Sequence, residues 1–429
     1  MKRVLITSVL ALAVAFLPQI CFADEQEQSD PTVKVEVPAS HYTRKAAFFP
    51  LELPVYALKL ALWPIGEGLG LLERKHVFER GAEFLSNDAK TFWVYPIIDW
   101  GAGTSFGGGA GFKYTDLFHQ GYVLTGSYRI HIDLNQYINL SLFKHDAFYL
   151  WDKPVSLKSR LEVDDLRSMD YYGKGDDTPR SDRSRYSITS IDWDGRLIYE
   201  PMKNVEVDAK LGVLAATTGP STYGGYPSVD TTFSAAELPG FERWLTYLTL
   251  GMGVAHDTRD NTLKPQKGGR REFSFYRYQC LTSDSFSFNQ YVLDFTQYFP
   301  LWRPGVTLGV RNNWTFQQEF GGRSVPFYRL TLLDYRSPLR GFKRGRFHDL
   351  SSVLFNFDYT YPVSSLVEGL IFVDTGKVFD GVTNFNFDNW RYSVGGGFNV
   401  TLFKITLLRF RAAYGGEGVN LIFGMAVSI

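Results

Sequence analysis

The sequence is poor in the residues that often assign a function directly. Its 429 residues include only 2 cysteines and 7 histidines, and 45 Lys and Arg residues balance 45 Asp and Glu residues. The histidines lack the spacing of metal ligands, so no metal is predicted. A net charge of zero without basic clusters gives no electrostatic surface for nucleic acid. Neither a metal nor a nucleic acid is therefore an expected ligand.

Aromatic residues and glycine, by contrast, are abundant. The chain has 35 Phe, 25 Tyr and 40 Gly residues, with a mean hydropathy of -0.15. This mixture excludes a disordered chain and also a membrane protein built from many apolar helices. It suits a β protein whose two faces meet different solvents.

The N-terminus has the three-part layout of a secretory signal peptide, residues 1–23. Two basic residues precede an apolar run, and small residues surround a cleavage site after Ala23. A lipoprotein site at Cys21 is the alternative, although the residues before it are larger than such sites prefer. If Cys21 leaves with the signal peptide, Cys280 is alone and no disulfide forms within the mature chain. The chain is predicted to be exported.

Residues 24–90 are predicted to form a periplasmic segment, flexible at first and then helical. The apolar stretch Val55–Trp63 is too short to span a bilayer, which needs about 20 apolar residues. Its spacing indicates one or two short amphipathic helices. Three positions are open for such helices: a small cap, the periplasmic surface of the bilayer, or the inside of a barrel. Periodicity does not decide between these positions.

Residues 91–429 alternate apolar and polar side chains with a period of two. Val205, Val207 and Ala209, for example, alternate with Glu206 and Asp208. Alternation alone fits a soluble sandwich as well as a membrane barrel with a wet lumen. Export, strands of about ten residues and aromatic residues near strand ends favour the barrel. These aromatic residues are Trp93, Tyr95, Trp100, Tyr149, Trp151, Tyr359 and Tyr361.

Sixteen such segments can be counted, which predicts an all-β membrane protein. Its fold class is a transmembrane antiparallel β-barrel of about 16 strands, with a short N-terminal helical segment and the first strand beside the last. Long and short connections alternate, as expected when the N-terminus is periplasmic and the long loops are extracellular. Residues 257–267 form the main exception, because a short periplasmic turn is expected there.

Four segments resemble recurrent motifs of one outer-membrane family. They are Leu339-Arg340-Gly341-Phe342 with Arg346-Phe347, Asp257–Asn261, Tyr171–Thr178 and Phe372–Gly376. In this order and at this strand count, they are similar to the BamA/TamA-like outer-membrane superfamily, also called the bacterial surface antigen family. The resemblance covers residues 91–429.

The resemblance implies a long loop that folds back into the lumen and is locked there. Arg340, followed by Gly341 and Phe342, would be held by Asp358 and Asp374 on the barrel wall. The strand pattern independently predicts that Asp358 points inward, and a guanidinium between two carboxylates suits such a lock. The alternative is that Arg340 lies in a solvated loop.

One departure from the family concerns the periplasmic segment. Members that insert or export proteins usually carry POTRA modules with the order strand, helix, helix, strand, strand. Residues 24–90 cannot be read in that order, so the chain resembles a POTRA-less member. This departure puts the handling of client proteins by strand addition in doubt.

Catalysis is not predicted. Residues 103–107 match G-x-S-x-G, in which Ser105 would be a hydrolase nucleophile, but a glycine-rich strand follows where a helix is required. Neither a catalytic site nor a cofactor is expected.

Two classes of function remain open. The first is an outer-membrane factor for assembly or translocation of protein or lipid, whose partners would be outer-membrane lipid, lipopolysaccharide and client outer-membrane proteins. The second is a structural or passive-transport barrel that admits small polar solutes. Its lumen would be lined by Arg129, Glu206, Asp208, Asp294, Arg311, Arg409 and Arg411.

Overall fold

The structure, a computed structural model, describes Glu67 and residues 86–426 apart from 102–104, 335–337 and 403–404. The predicted signal peptide and almost all of the predicted periplasmic segment lie outside the described residues. The strands are β1 (Phe92–Trp100), β2 (Gly107–Leu117), β3 (Tyr122–His131), β4 (Gln136–Leu150), β5 (Lys153–Tyr171), β6 (Ser184–Met202), β7 (Val205–Pro220), β8 (Leu245–Asp257), β9 (Gly268–Cys280), β10 (Phe288–Pro300), β11 (Thr307–Gln318), β12 (Thr331–Leu333), β13 (Phe347–Asp349), β14 (Ser351–Pro362), β15 (Val367–Phe379), β16 (Arg391–Leu402), β17 (Ile405–Tyr414) and β18 (Val419–Ala426).

Within residues 86–426, the described helices are short pieces in the loops. The α-helix α1 (Val229–Thr232) is accompanied by the 3₁₀ helices Arg180–Asp182, Tyr223–Gly225, Asp284–Phe286, Phe327–Arg329 and Val382–Asn384. Within the described part of the chain, no helix is long and apolar enough to cross a bilayer.

Sixteen strands close into one antiparallel barrel. Around the barrel the order is β1, β18, β17, β16, β15, β14, β11, β10, β9, β8, β7, β6, β5, β4, β3 and β2. The predicted fold class, strand number and contact between the first and last strands are confirmed. The number of strands was readable because alternation and turn residues define each strand locally.

The connections alternate in length between the two ends of the barrel. The long ones, residues 172–183, 221–244, 319–350 and 380–390, share one end. At the other end β4 and β5 are joined only by Trp151 and Asp152, whose φ values of 49° and 61° suit a two-residue hairpin turn. The connection between β8 and β9, residues 258–267, is the predicted exception.

Each strand presents two chemically different faces. On β7, Val207, Leu211 and Val213 point outward and are 40–48% exposed, whereas Asp208 and Lys210 point inward and make polar contacts. This pattern gives an apolar outer surface and a charged lumen.

The longest loop carries a second, small sheet. Strands β12 and β13 pair with each other within residues 319–350. Apolar side chains from this loop pack on Leu354 of β14 and Val378 of β15, and they are Leu333, Leu339, Phe342 and Phe347. The loop is therefore packed against the inside of the wall.

Candidate functional site: the inserted loop and the strand seam

The centre of the inserted loop is a buried arginine between two carboxylates. Arg340 Nε donates to both oxygens of Asp374 at 3.0 and 3.2 Å, and Nη2 donates to Asp358 at 2.5 Å. The guanidinium also lies 3.6 Å from the ring centroid of Phe372, where the negative ring face attracts a cation. The structure therefore brings Arg340 together with both of the carboxylates named from the sequence.

The two carboxylates differ in their surroundings. The Asp374 side chain is 0% exposed, whereas that of Asp358 is 39% exposed. Asp374 also accepts hydrogen bonds from Asn356 Nδ2 at 2.8 Å, Ser393 Oγ at 2.7 Å and the Arg340 backbone at 3.0 Å. Asp374 is thus held by the two neighbouring strands β14 and β16 and by the loop, whereas Asp358 contacts Arg340 from a more exposed position.

The residues after Arg340 make close contacts with the wall. A Cβ atom on Gly341 would lie 2.5 Å from the backbone nitrogen of Gly415 and 2.5 Å from Ser393 Cβ. Only glycine allows this approach without moving the backbone. Phe342 is 3% exposed and meets Phe347 edge-on at 5.0 Å.

Two further arginines tie the same loop to other parts of the barrel. Arg344 Nη1 donates to the hydroxyl of Tyr137 on β4 at 3.0 Å. Arg346 pairs with Glu417 at 2.9 Å and donates to the Thr178 hydroxyl at 2.7 Å. Sequence reasoning gave Arg344 no role and used Arg346 only as part of the motif. No local sequence pattern marks these contacts, because each joins residues that are far apart in the chain.

The outer loops meet above the inserted loop. Lys174 lies 2.8 Å from Asp380 and 3.6 Å from Asp349. Burial raises the pKa of the Asp349 carboxyl to about 6, and Lys174 only partly opposes this effect. Burial lowers the pKa of the neighbouring His348 imidazole to about 3, so this ring is neutral at pH 7.

The seam between the first and last strands is short. Among the described residues, β1 pairs with β18 at four positions, from Ile97 opposite Ala426 to Trp100 opposite Phe423, but with β2 at eight. Pro96 of β1 lacks an N–H for a ladder bond. Part of the β1 edge is therefore not paired with described residues of β18.

Charged side chains line the lumen as cross-strand pairs. Arg129 lies 3.0 Å from Asp99, and Arg270 lies 2.8 Å from Glu206. Other pairs join Arg311 with Asp294 and Arg196 with Asp208. The pairs Arg311–Asp294 and Arg196–Asp208 join adjacent strands, where opposite charges stabilise the ladder, and the other two pairs reach across one intervening strand. These residues therefore have a structural role whether or not solutes pass.

The sequence motif around Ser105 leads into a strand in the part described. The strand β2 begins at Gly107, and Ser105 Oγ accepts a hydrogen bond from the Asp133 backbone at 3.1 Å. Among the described residues, no group of three or more His, Cys, Asp or Glu side chains is placed to hold a metal ion.

Comparison with known families identifies this architecture. The Omp85 superfamily domain matches residues 101–420. The chain belongs to the Omp85 superfamily. The predicted resemblance to BamA/TamA-like barrels is thereby confirmed. A search of curated proteins finds no match.

Solved structures share the fold of this Omp85 barrel. BamA from Haemophilus ducreyi lacking POTRA domains 1–3 is similar at a TM-score of 0.58 and 18% identity, over 78% of this chain and 70% of that one. CdiB from Acinetobacter baumannii (TM-score 0.50, 11% identity) and CdiB from Escherichia coli (0.53, 11%) align over 78% and 77% of this chain. The alignment covers 60% and 62% of those two CdiB chains.

Proposed function

We propose that this Omp85 barrel resides in the Gram-negative outer membrane and takes part in assembly or translocation of protein or lipid there. It would not be an enzyme. The observation that carries this proposal is the short β1–β18 seam beside a lumen occupied by a loop. A filled lumen argues against free solute flow, and a short seam gives a place where the wall can open.

The proposed mechanism is lateral opening of the seam. Among the described residues, separating β1 from β18 breaks fewer pairs than separating β1 from β2. An opened edge presents unpaired N–H and C=O groups, which bind an extended client strand by adding it to the sheet. Outer-membrane lipid, lipopolysaccharide and client outer-membrane proteins are the partners that meet such an edge.

Arg340, Gly341, Phe342, Asp358 and Asp374 are proposed to act as a lock that keeps the loop in the lumen. A charge pair that excludes water and has several hydrogen bonds holds its geometry well. This lock would keep the wall at β14, β15 and β16 rigid while the seam opens.

The N-terminal part is assigned a supporting role. Residues 1–23 would be removed as a signal peptide, and residues 24–90, without a POTRA module, would engage the barrel or the periplasmic leaflet through Val55–Trp63. An apolar stretch of this kind needs a covering surface. This segment would not bind clients by strand addition.

The alternative is a passive pore for small polar solutes, favoured by the charged lumen. The two functions differ in conductance. In planar bilayers, the assembly factor should show small conductance, whereas conductance typical of an open porin would favour the pore and overturn the main proposal.

Cross-linking the seam tests the mechanism directly. The variant Ile98→Cys/Met425→Cys places a disulfide across β1 and β18, and Val94→Cys/Phe112→Cys places one across β1 and β2 as a matched control. Each would replace the chain in cells depleted of it. We expect only the oxidised seam variant to reproduce the depletion changes in outer-membrane proteome and lipid asymmetry, with reversal by reductant. Full activity of the oxidised seam variant would exclude lateral opening.

A further inference from the structure

A cavity lies between the inserted loop and the barrel wall, away from Arg340. It has a volume of about 390 Å³ and is lined by the loop around β12 on one side and by strands β10, β11 and β14 on the other. The wall side is polar, and the loop side is largely apolar. The residues that line the cavity on the wall side include Gln290, Arg311, Asn313, Gln317 and Ser352.

Two arginines line this cavity, and they differ in their partners. Arg311 pairs with Asp294. Arg329, in contrast, forms no ion pair with a described residue, and its buried Nε donates no hydrogen bond. Its guanidinium lies 5.1 Å from the ring centroid of Tyr278 and also makes a side-chain hydrogen bond with that residue. Asp192 acts on Arg329 electrostatically without reaching ion-pair distance.

Two polar atoms near Arg329 are buried without partners among the described residues. The hydroxyl of Tyr328 and Oε1 of Gln317 are buried without a hydrogen bond from the described protein. Gln317 itself is held in place, because its Nε2 donates to the Arg329 carbonyl at 2.8 Å. Buried polar groups in folded proteins are rarely left without partners, and a buried charge needs compensation.

We propose that this cavity binds a phosphate group, with Arg329 as the main anchor. A guanidinium fork matches the oxygens of a phosphate. The amides of Gln290 and Asn313 and the hydroxyl of Ser352 supply further donors on the wall side. A hydrogen phosphate also carries an O–H that can donate to Gln317 Oε1, which a carboxylate cannot do.

Such a ligand would connect the loop to the wall. Arg329 belongs to the loop, whereas the amide donors belong to β10 and β11. A bound phosphate would therefore stabilise the inserted loop at a point independent of the Arg340 lock. The same chemistry is offered by inorganic phosphate and by a phosphate monoester on a lipid headgroup.

The test measures phosphate binding to the full-length barrel in detergent. Thermal unfolding is followed while inorganic phosphate is titrated at constant ionic strength, and phosphate line broadening in ³¹P NMR gives a second readout. The variants are Arg329→Gln, Arg329→Lys and the matched control Arg323→Gln, which removes a cation over Phe320 in the same loop outside the cavity. A parallel titration uses mixed micelles containing phosphatidic acid.

We expect saturable stabilisation of the wild-type and Arg323→Gln proteins. Arg329→Gln should weaken binding at least tenfold, and Arg329→Lys should weaken it less, because charge is kept but the fork is lost. Saturation by inorganic phosphate supports a free anion, and a response to phosphatidic acid alone supports a headgroup. If Arg329→Gln does not fold, the weaker phosphate binding expected of Arg329→Lys relative to wild type tests the proposal. Equal binding by all variants, or no saturable binding, would overturn the proposal and leave an adventitious ion only.

Discussion

Removing the Arg340 guanidinium should destabilise the inserted loop more than removing the charge of Asp358, the more exposed of its two carboxylate partners, would. In the variant Arg340→Ala, Asp374 becomes a carboxylate with 0% exposure and no cation. Breaking a buried pair by deleting one partner costs about 3–5 kcal/mol, because the remaining charge is uncompensated. Asn356, Ser393 and the backbone of residue 340 still donate to Asp374, so we expect the lower part of this range.

The cation–π contact with Phe372 adds to this cost. A desolvated contact of this type contributes about 2 kcal/mol, and the distance of 3.6 Å is short. We therefore expect Arg340→Ala to lower the free energy of unfolding by about 5 kcal/mol in total. Asp358→Asn should cost less than about 1 kcal/mol, since the Asp358 side chain is 39% exposed and water screens its pair.

A double variant separates the charge effect from lost packing. Arg340→Ala/Asp374→Asn removes the uncompensated carboxylate, so it should be more stable than Arg340→Ala alone by about 1–2 kcal/mol. Unfolding would be followed by tryptophan fluorescence in urea, which unlike guanidinium does not screen charges. Limited proteolysis of residues 319–350 reports the release of the loop itself. Wild-type stability and protease resistance of Arg340→Ala would refute the reasoning.

Three further predictions concern other parts of the molecule. The Asp349 pKa of about 6 exceeds its unfolded value of 3.8, so its contribution to stability is present below pH 3.8 and is lost as the pH rises through 6. The stability of Asp349→Asn relative to wild type should therefore rise by up to about 3 kcal/mol between pH 4 and pH 7, a comparison that cancels the opposite effect of His348. Gly341→Ala should lower urea resistance and loosen the loop, whereas Gly108→Ala, whose Cβ has 3.9 Å of space, should not. Deletion of residues 24–90 should raise conductance if this segment occupies the lumen.

Each of these predictions has a clear contrary outcome. A constant difference between wild type and Asp349→Asn across this pH range would mean that the carboxyl is well solvated. Equal effects of Gly341→Ala and Gly108→Ala would mean that the loop does not approach the wall closely. Small conductance that the deletion leaves unchanged would assign the occlusion to the loop carrying Arg340 and place the helices elsewhere.

The barrel was predictable from the sequence because its determinants are local. Alternation with a period of two defines each strand, and turn residues such as Trp151 and Asp152 end it. Sixteen such segments require closure to avoid unpaired edges, which predicts contact between β1 and β18. The alternating loop lengths were readable for the same reason, since they are distances along the chain.

The partners of Arg340 were nominated partly by family resemblance and partly by the inward face of β14. The number of pairs in the seam, the ties of Arg344 and Arg346, and the unpaired state of Arg329 were not readable. These three features depend on how the loop formed by residues 319–350 packs inside the curved barrel wall. This packing brings together residues as distant in the chain as Arg344 and Tyr137. No local pattern encodes such distances.

The sequence by itself thus determined which faces of the strands are apolar, how many strands there are and in what order they follow one another. Hydrophobic alternation and turn chemistry act between residues that are near neighbours along the chain, so both can be read from the sequence. The tertiary structure alone decided which charges are buried and what they meet. Asp374 is 0% exposed and Asp358 is 39% exposed. The same residue type therefore has different energetic weight in the two places, because burial and solvent screening are properties of the closed barrel and its inserted loop.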